Sequence, residues 1–526
     1  MRTGLAVGLC VALLALGCAH ASSSRRPPDP PPARLRAIRE AGTPRRVVLI
    51  TVAGLESADF LAPTGFVATG NDAVRMPALG RLAAEGVIGV AARPPAPGST
   101  YAAHATLVTG LRSDRHGVVA DDALDAEGQH ALPFWDSRGL RATTLWDAAL
   151  GRGVLALGWP TTDGARIELL VPDTEPDPAA GDWLGFQRGR STPLLMAELE
   201  RIAREQLAES PRDANGARRT LAGWPTLAER DGAWIELACH VARSERDPAL
   251  WLLRLVEPVA ALSLDGYGSA AHAAALVRVD ARIARLVDCL AEADRLADTA
   301  ILVVGDVAHR PVHTEIAPNT ALVRENLIGR DPRSKTGVRS WLALARSQGR
   351  SAYVYAREAA GALAAREVLE EEARRSGAFD VVPASDLAGQ GADPQAWFGL
   401  AARPGFVLGD ALTGPLLRPA ELRSAAGGFP FREGAASAVG FVAWGRGIRG
   451  GVRMPELALV DVAPTIARLL GLRLDEKLDG RPMIGILRAS QPLPPPGPKR
   501  LGVGTDGGSE GALRALGGGR EGGGER

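Results

Sequence analysis

The segment PGSTYAAHATLVTG, residues 97–110, places a hydroxyl group where it could act as a nucleophile. Thr100 stands at the start of a short predicted helix that ends at Gly110. The N-terminal end of a helix offers free amide donors and the positive end of the helix dipole. Such a position suits attack on a phosphate group, or the binding of an anion without turnover. An ordinary N-cap threonine has the same pattern, so this segment alone does not separate the possibilities.

Three apolar segments are predicted to end beside this hydroxyl. Residues 47–52, 250–256 and 299–304 are almost continuously apolar, which is typical of parallel strands covered on both faces. The carboxyl ends of parallel strands meet at one edge of a sheet, where sites form. We therefore expect Ala53, Val259 and Asp306 to lie at the same edge. Ala53 occupies a place where metal chemistry would need a carboxylate.

Helices alternate with these strands and predict an α/β fold with three layers. The segment MPALGRLAAEGV predicts a helix that begins at Pro77 and ends at Gly86. Residues 269–290 carry apolar side chains at spacings of three and four, which predicts a long amphipathic helix. Residues 351–383 predict a strand, a helix and a strand, and we expect a small inserted α+β subdomain at about residues 330–425.

The chain resembles the type I phosphodiesterase and nucleotide pyrophosphatase branch of the alkaline phosphatase superfamily. The resemblance covers roughly residues 45–487, and its segments are specific jointly rather than singly. It implies a three-layer α/β/α sandwich of the alkaline phosphatase type with a mostly parallel central sheet, and Thr100 at the nucleophile position. The segments that carry it are VVLITVAGL, MPALGRLAAEGV, STYAAHATLVTG, LRSDRHGVV, TLWDAALGRGVLALGWPTTDGARI, ILVVGDVAH, GFVAWGRGIRGG, LVDVAPTIARLLGL and LDGRPM.

Members of that family hold two divalent ions, generally zinc, between carboxylates and imidazoles. Of the six ligand positions that the resemblance implies besides the nucleophile, Asp306 alone keeps a ligand. The last histidine of the chain is His313, so none remains for the C-terminal ligand position. The resemblance therefore predicts a metal site without ions, no cofactor, and a non-catalytic protein that binds or scaffolds. The altered positions are Ala53, Val307, Val259, Ser263, and Gly427 or Phe429, and Ala102 and Ala103 replace a phosphate-contacting residue.

The alternative hypothesis is a metal-dependent hydrolase that uses Thr100 and holds two zinc or other divalent ions with relocated ligands. Pro311 argues against a helix that would align His309 with His313, so we predict a solvated loop there. We expect His272 to be exposed on its helix. The candidate ligands of this hypothesis are Asp306, His309, His313, Glu315, Asp265, His104 and His272.

The N-terminal residues predict export. Arg2 precedes a short apolar stretch that ends at Cys18, and LALGC resembles a bacterial lipobox. We predict a signal peptide at 1–17, lipid attachment at Cys18 and a Pro-rich tether at 18–44. A globular domain at 45–490 and a disordered tail at 491–526 follow. An ordinary signal cleaved after Ala19 or Ala21 is the alternative. The prediction is a lipid-anchored protein of the bacterial cell envelope. Ala19, the residue after the lipid cysteine, is compatible with sorting to the outer membrane, where the protein would face the periplasm.

Composition limits the remaining classes. The 526 residues are 46% apolar and 23% charged, a composition that is typical of globular proteins. The net charge of +1 gives no excess of basic residues for binding nucleic acid. Cys239 and Cys289 lie in predicted helices, and the sequence leaves open whether they pair or stay free.

Overall fold

The computed structural model describes residues 42–61, 76–124, 131–134, 136–174, 182–213, 216–334, 336–474 and 477–488. The predicted signal peptide, Cys18, nearly all of the tether and the C-terminal tail lie outside these residues. Among the described residues, no helix is long and apolar enough to cross a membrane.

The strands alternate with helices along the chain, as the sequence predicts. The strands are β1 Arg46–Val52, β2 Val87–Arg93, β3 Asp122–Leu124, β4 Ala131–Pro133, β5 Val154–Trp159, β6 Leu169–Pro172, β7 Leu250–Leu255, β8 Thr299–Gly305, β9 Arg310–Ile316, β10 Ile328–Arg330, β11 Val338–Trp341, β12 Ala343–Gln348, β13 Ser351–Ala356, β14 Phe379–Pro383, β15 Phe398–Ala402, β16 Gly405–Leu408, β17 Leu417–Pro419, β18 Ser424–Ala425, β19 Val439–Gly445 and β20 Val452–Ala458. The α-helices are α1 Pro77–Glu85, α2 Thr100–Thr109, α3 Ser113–His116, α4 Leu145–Ala148, α5 Trp183–Arg188, α6 Pro193–Glu209, α7 Leu227–Arg243, α8 Pro258–Leu264, α9 Ala270–Glu292, α10 Pro318–Arg324, α11 Ala359–Ser376, α12 Ala384–Gly389, α13 Pro430–Glu433 and α14 Val462–Leu470.

An eight-stranded sheet with the order β20-β2-β19-β8-β1-β7-β5-β6 forms the centre of the molecule. The strand β1 pairs in parallel with both β7 and β8, and β5 pairs in parallel with β6 and β7. The strand β19 runs antiparallel to β8 and to β2, while β2 and β20 are parallel. The predicted α/β fold with a mostly parallel central sheet is therefore confirmed.

Helices cover both faces of this sheet, because alternate residues of each strand enter two different cores. Val48, Ile50 and Val52 pack in one core with α1, α6, α7 and α9. Val47 and Leu49 pack in the other core with α2, α4 and α14. This arrangement gives the three layers that the alternation of strands and helices predicts.

The described residues from β9 to β18 build three further sheets, of which the smallest is the antiparallel pair of β10 and β11. An antiparallel sheet has the order β12-β13-β15-β14, and residues of α11 pack in its own core. In a second sheet, β9 pairs with β16, β17 and β18. The segment predicted as strand, helix and strand folds as β13, α11 and β14.

Two sequence-based expectations are wrong. Residues 310–316 form strand β9 rather than a loop, because β16, β17 and β18 pair with their backbone groups. His272 is fully buried, since its ring packs on Tyr267 and its Nδ1 accepts the Gly268 amide. Val259 lies on α8, which begins at Pro258 and follows the carboxyl end of β7, as expected.

A disulfide bond joins two long helices of one layer. Cys239 of α7 and Cys289 of α9 are bonded, with their Cα atoms 5.4 Å apart. Both residues are fully buried in the core on that face of the sheet. The two cysteines are therefore paired, a question that the sequence leaves open.

Candidate functional site

The carboxyl ends of the central strands bring the predicted site residues to one edge of the sheet. Val52 is in register with Leu255 of β7 and with Gly305 of β8. Ala53 directly follows β1 and Asp306 directly follows β8, so these two residues are neighbours. The strand β2 runs in the same direction as β8, because β19 is antiparallel to both, so Thr100 reaches the same edge.

Thr100 is the first residue of α2, and it is partly exposed. The helix is anchored by His104, which places Nδ1 2.7 Å from the Thr100 carbonyl oxygen and Nε2 2.8 Å from the Thr51 hydroxyl. The His104 ring also packs edge-on against Trp159. Burial lowers the pKa of His104 to about 4, with a further contribution from Arg254. His104 therefore holds the segment as a neutral group.

The carboxylate of Asp306 is buried and already bonded. Its Oδ1 accepts the amide of Gly54 at 3.0 Å and its own neighbouring amide, that of Val307, at 2.7 Å. The side chain is 2% exposed. Asp306 thus ties the end of β1 to the end of β8.

Apolar side chains occupy the positions beside Asp306. Ala53 is 1% exposed and Val307 is 2% exposed, and Val307 packs in the core on the α2 side of the sheet. Val259 and Ser263 lie on α8 and are partly buried. Gly54 adopts a φ of +69°, and a Cβ there would lie 2.3 Å from Leu262 of the same helix. The turn after β1 therefore packs closely on α8.

The C-terminal ligand position also reaches this edge. A Cβ on Gly98, in the loop before Thr100, would lie 2.6 Å from the Gly428 carbonyl oxygen. Gly427 has a φ of +82°, and a Cβ there would lie 2.1 Å from the Gln348 carbonyl oxygen. Phe429, the other register, is fully buried against Tyr353. Gly427 therefore has no room for a side chain in this backbone, and Phe429 carries a buried ring without donor atoms.

These residues do not fit a pair of divalent ions. Zinc sites use three or four nitrogen, oxygen or sulfur donors per ion. The matched positions supply one carboxylate, one of whose oxygens already accepts two amides, together with methyl and isopropyl groups. Within the described residues, no group of three or more His, Cys, Asp or Glu side chains could hold a metal ion.

The relocated ligands of the alternative hypothesis lie in separate environments. His309 is buried next to Gly54, so that a Cβ on Gly54 would lie 3.1 Å from the His309 Nδ1. Burial lowers the pKa of His309 to about 4. His313 is exposed and bonds the Thr314 hydroxyl, while Glu315 pairs with Arg418. Asp265 is exposed at the end of α8. His309 is thus buried beside the turn at Gly54, contrary to the solvated position that we expected.

A charged cluster that the sequence analysis missed lies at the same edge. Arg254 of β7 forms an ion pair with Asp173, the residue that follows β6. The Tyr101 hydroxyl donates to Asp173 at 3.1 Å, and the Tyr101 amide donates to Asp121 at 2.8 Å. The available signal was Arg254 itself, the one charge in the apolar segment LWLLRLV.

The three-layer fold, with a hydroxyl at a helix N-terminus facing the carboxyl ends of parallel strands, defines a domain of the alkaline phosphatase type. The chain belongs to the type I phosphodiesterase / nucleotide pyrophosphatase family, whose model matches residues 48–391. This match confirms the family that the sequence segments indicate. A search of curated proteins finds no match.

Solved structures of one family member are similar in fold. Human ectonucleotide pyrophosphatase / phosphodiesterase 5 is 15% identical, covers 84% of this chain and 100% of its own, and gives a TM-score of 0.58. The murine protein is 16% identical, covers 82% of this chain and 96% of its own, and gives a TM-score of 0.55. An inactive murine variant in complex with AMP gives a TM-score of 0.54 with the same identity and coverage.

Proposed function

We propose that this protein is a non-catalytic lipoprotein of the bacterial cell envelope, whose type I phosphodiesterase-like domain binds or scaffolds without divalent ions. The observation that carries the proposal is the pair of buried aliphatic side chains, Ala53 and Val307, on either side of the bonded carboxylate of Asp306. An ion placed there would meet one carboxylate and apolar surface. Moving a divalent cation from water to such a place costs desolvation free energy, and the site offers too few ligands to compensate for it.

The edge can still recognise an anion. Thr100 lies at the N-terminal end of a ten-residue helix, where amides and the helix dipole favour negative charge. We therefore include an anionic small molecule or an acidic group of a protein among the ligands of the domain. The proposal excludes turnover at Thr100, because the matched ligand positions supply one carboxylate and apolar side chains, which are too few donors to hold an activating ion.

The location in the envelope is part of the same proposal. The leader with its LALGC sequence predicts attachment of lipid at Cys18. The disulfide between Cys239 and Cys289 supports export, because such bonds persist in oxidising compartments. The membrane partner is then the lipid anchor itself.

The experiment that tests the proposal measures metal and activity in the same purified full-length protein. We expect far less than one zinc or manganese per chain by inductively coupled plasma mass spectrometry. Hydrolysis of bis-p-nitrophenyl phosphate and of nucleotide esters, assayed with added Zn²⁺ or Mn²⁺, should equal that of the Thr100→Ala variant. Stoichiometric metal, or turnover that Thr100→Ala abolishes, would establish the hydrolase with relocated ligands instead.

A further inference from the structure

Arg254 is a charged residue on a central strand whose other side chains are apolar. It is in register with Thr51 of β1, whose hydroxyl bonds His104 of α2, so both side chains lie on the α2 face of the sheet. The Arg254 side chain is 13% exposed. Its Nε is buried and has no hydrogen-bond partner among the residues that the structure describes. A guanidinium in this setting needs negative charge around it.

Negative groups surround Arg254 from several elements. Asp173 pairs with it directly and also accepts the Tyr101 hydroxyl. Burial alone lowers the pKa of Arg254, but Asp173, Tyr101, Asp306 and Asp121 together raise it above its usual value. Burial raises the pKa of Asp121 to about 6, against the effect of the Tyr101 amide and of Arg254. The carboxylates and the guanidinium thus stabilise one another in the charged state.

We propose that the guanidinium of Arg254 is the resident cation of this edge, and that it holds Asp173 and, through the hydrogen bond between Tyr101 and Asp173, the Tyr101 segment in place without a metal ion. This inference rests on the proposed function, in which the edge binds no divalent ions. It assigns a positioning role, since Arg254 acts through Tyr101 and the carboxylates. The neighbour of Tyr101 is Thr100, so the same contacts set the position of the hydroxyl.

An arginine suits this role for chemical reasons. Its charge is permanent and delocalised, and its planar fork provides five donors, so one side chain can face several carboxylates. Without a cation, the buried carboxylates of Asp173 and Asp306 and the partly buried carboxylate of Asp121 would repel one another in a medium of low dielectric. A residue of the chain itself, unlike an ion, needs no ligand set and cannot be removed by a chelator.

The test replaces Arg254 by methionine in the full chain and compares it with a matched control. Arg219 is also 13% exposed and pairs with one carboxylate, Glu229, outside the cluster. We expect Arg254→Met to lower the thermal midpoint by about 5 °C or more, because it leaves the buried carboxylate of Asp173 without its cation. Arg254→Lys should recover at least half of that loss, because it keeps the charge. Arg219→Met should lose less than Arg254→Met, because it leaves a single carboxylate unpaired.

A second variant keeps the inference testable if Arg254→Met does not fold. Asp173→Asn removes one charge and keeps an acceptor for Tyr101. The double variant Asp173→Asn/Arg254→Met should be more stable than Arg254→Met alone, or should fold where the single variant does not. A double variant with no such gain overturns the inference, as does an Arg254→Lys variant that is no more stable than Arg254→Met. Stoichiometric metal in the unmodified protein would instead refute the proposed function itself.

Discussion

At the scale of single residues, the edge of the sheet shows how a carboxylate can keep a structural role. Asp306 joins the amides of Gly54 and Val307, which belong to the ends of two neighbouring strands. Ala53 and Val307 fill the adjacent space as core residues. A buried, bonded carboxylate of this kind contributes to the fold, because leaving either amide without an acceptor would cost about 1–3 kcal/mol.

His116 provides a test of how helix α2, which begins at Thr100, is held in place. It is fully buried at the end of α3, its Nδ1 accepts the Val118 amide at 3.1 Å, and its Nε2 lies 3.0 Å from the Thr106 hydroxyl. Burial lowers its pKa to about 3. Because this pKa lies below that of the unfolded chain, the stabilisation is complete above about pH 6.5 and is lost as the pH falls towards 3.

We therefore predict that His116→Asn destabilises the protein most at neutral pH. The difference in the free energy of unfolding should shrink by about 1.4 kcal/mol for each pH unit below about 6, because one proton is linked to unfolding. Denaturant midpoints at pH 7.5, 6.5, 5.5 and 4.5 measure it. Leu107→Ala, a buried apolar change on α2, is the control and should show a difference that does not depend on pH. A constant difference for His116→Asn would contradict the prediction.

The residues of the edge were predictable only in part. The spacing of apolar residues placed Ala53 and Asp306 together, because strand ends follow from local sequence. Arg254, Asp173 and Asp121 come from separate segments and meet only through the order of the strands, which local sequence does not give. His272 and His309 look like surface residues in sequence, and they are buried by contacts with Tyr267 and with the turn at Gly54.

At the scale of elements, strands with continuous apolar runs were the most predictable. β1, β7 and β8 lie within a residue of their predicted bounds, because burial on both faces leaves a strong pattern. β9 was missed, since RPVHTEI alternates between buried and exposed positions and contains a proline. Its strand conformation depends on β16, β17 and β18, which come about a hundred residues later.

The link between α7 and α9 gives a prediction at this scale. Cys239 and Cys289 are 50 residues apart, and closing a loop of that length in the unfolded chain stabilises the folded state by about 4 kcal/mol in the chain-entropy model. Reduction should therefore lower the thermal midpoint by several degrees.

The measurement compares oxidised protein with protein that has been reduced under mildly denaturing conditions and refolded. The double variant Cys239→Ala/Cys289→Ala should melt near the reduced protein and should not respond to reductant. Peptide mapping without reductant is the independent check, and two free thiols in protein exported by its natural host would contradict the prediction.

At the scale of the whole molecule, the domain has its own folded core on each side of the sheet and a separate core in the inserted region. The loop before Thr100 meets the inserted region at about residues 330–425, since the Ser351 hydroxyl donates to the Pro97 carbonyl oxygen. A ligand at this edge would contact both parts. This arrangement suits a domain that binds, because the surfaces on either side can be recognised together.

The attachment of the whole molecule to the membrane supplies the last prediction. The leader contains two cysteines, Cys10 within the apolar stretch and Cys18 at its end, and only Cys18 follows the LALG sequence that resembles a lipobox. Cys18→Ser should therefore shift the full-length protein from the membrane fraction to the soluble fraction, and its mass should lack the added lipid. Cys10→Ser, the matched control, should leave the protein in the membrane fraction, because the apolar stretch remains and Cys18 is intact. If Cys18→Ser stays membrane-bound with its leader removed, another attachment holds the protein, and cleavage after Ala19 or Ala21 becomes the better account of the leader.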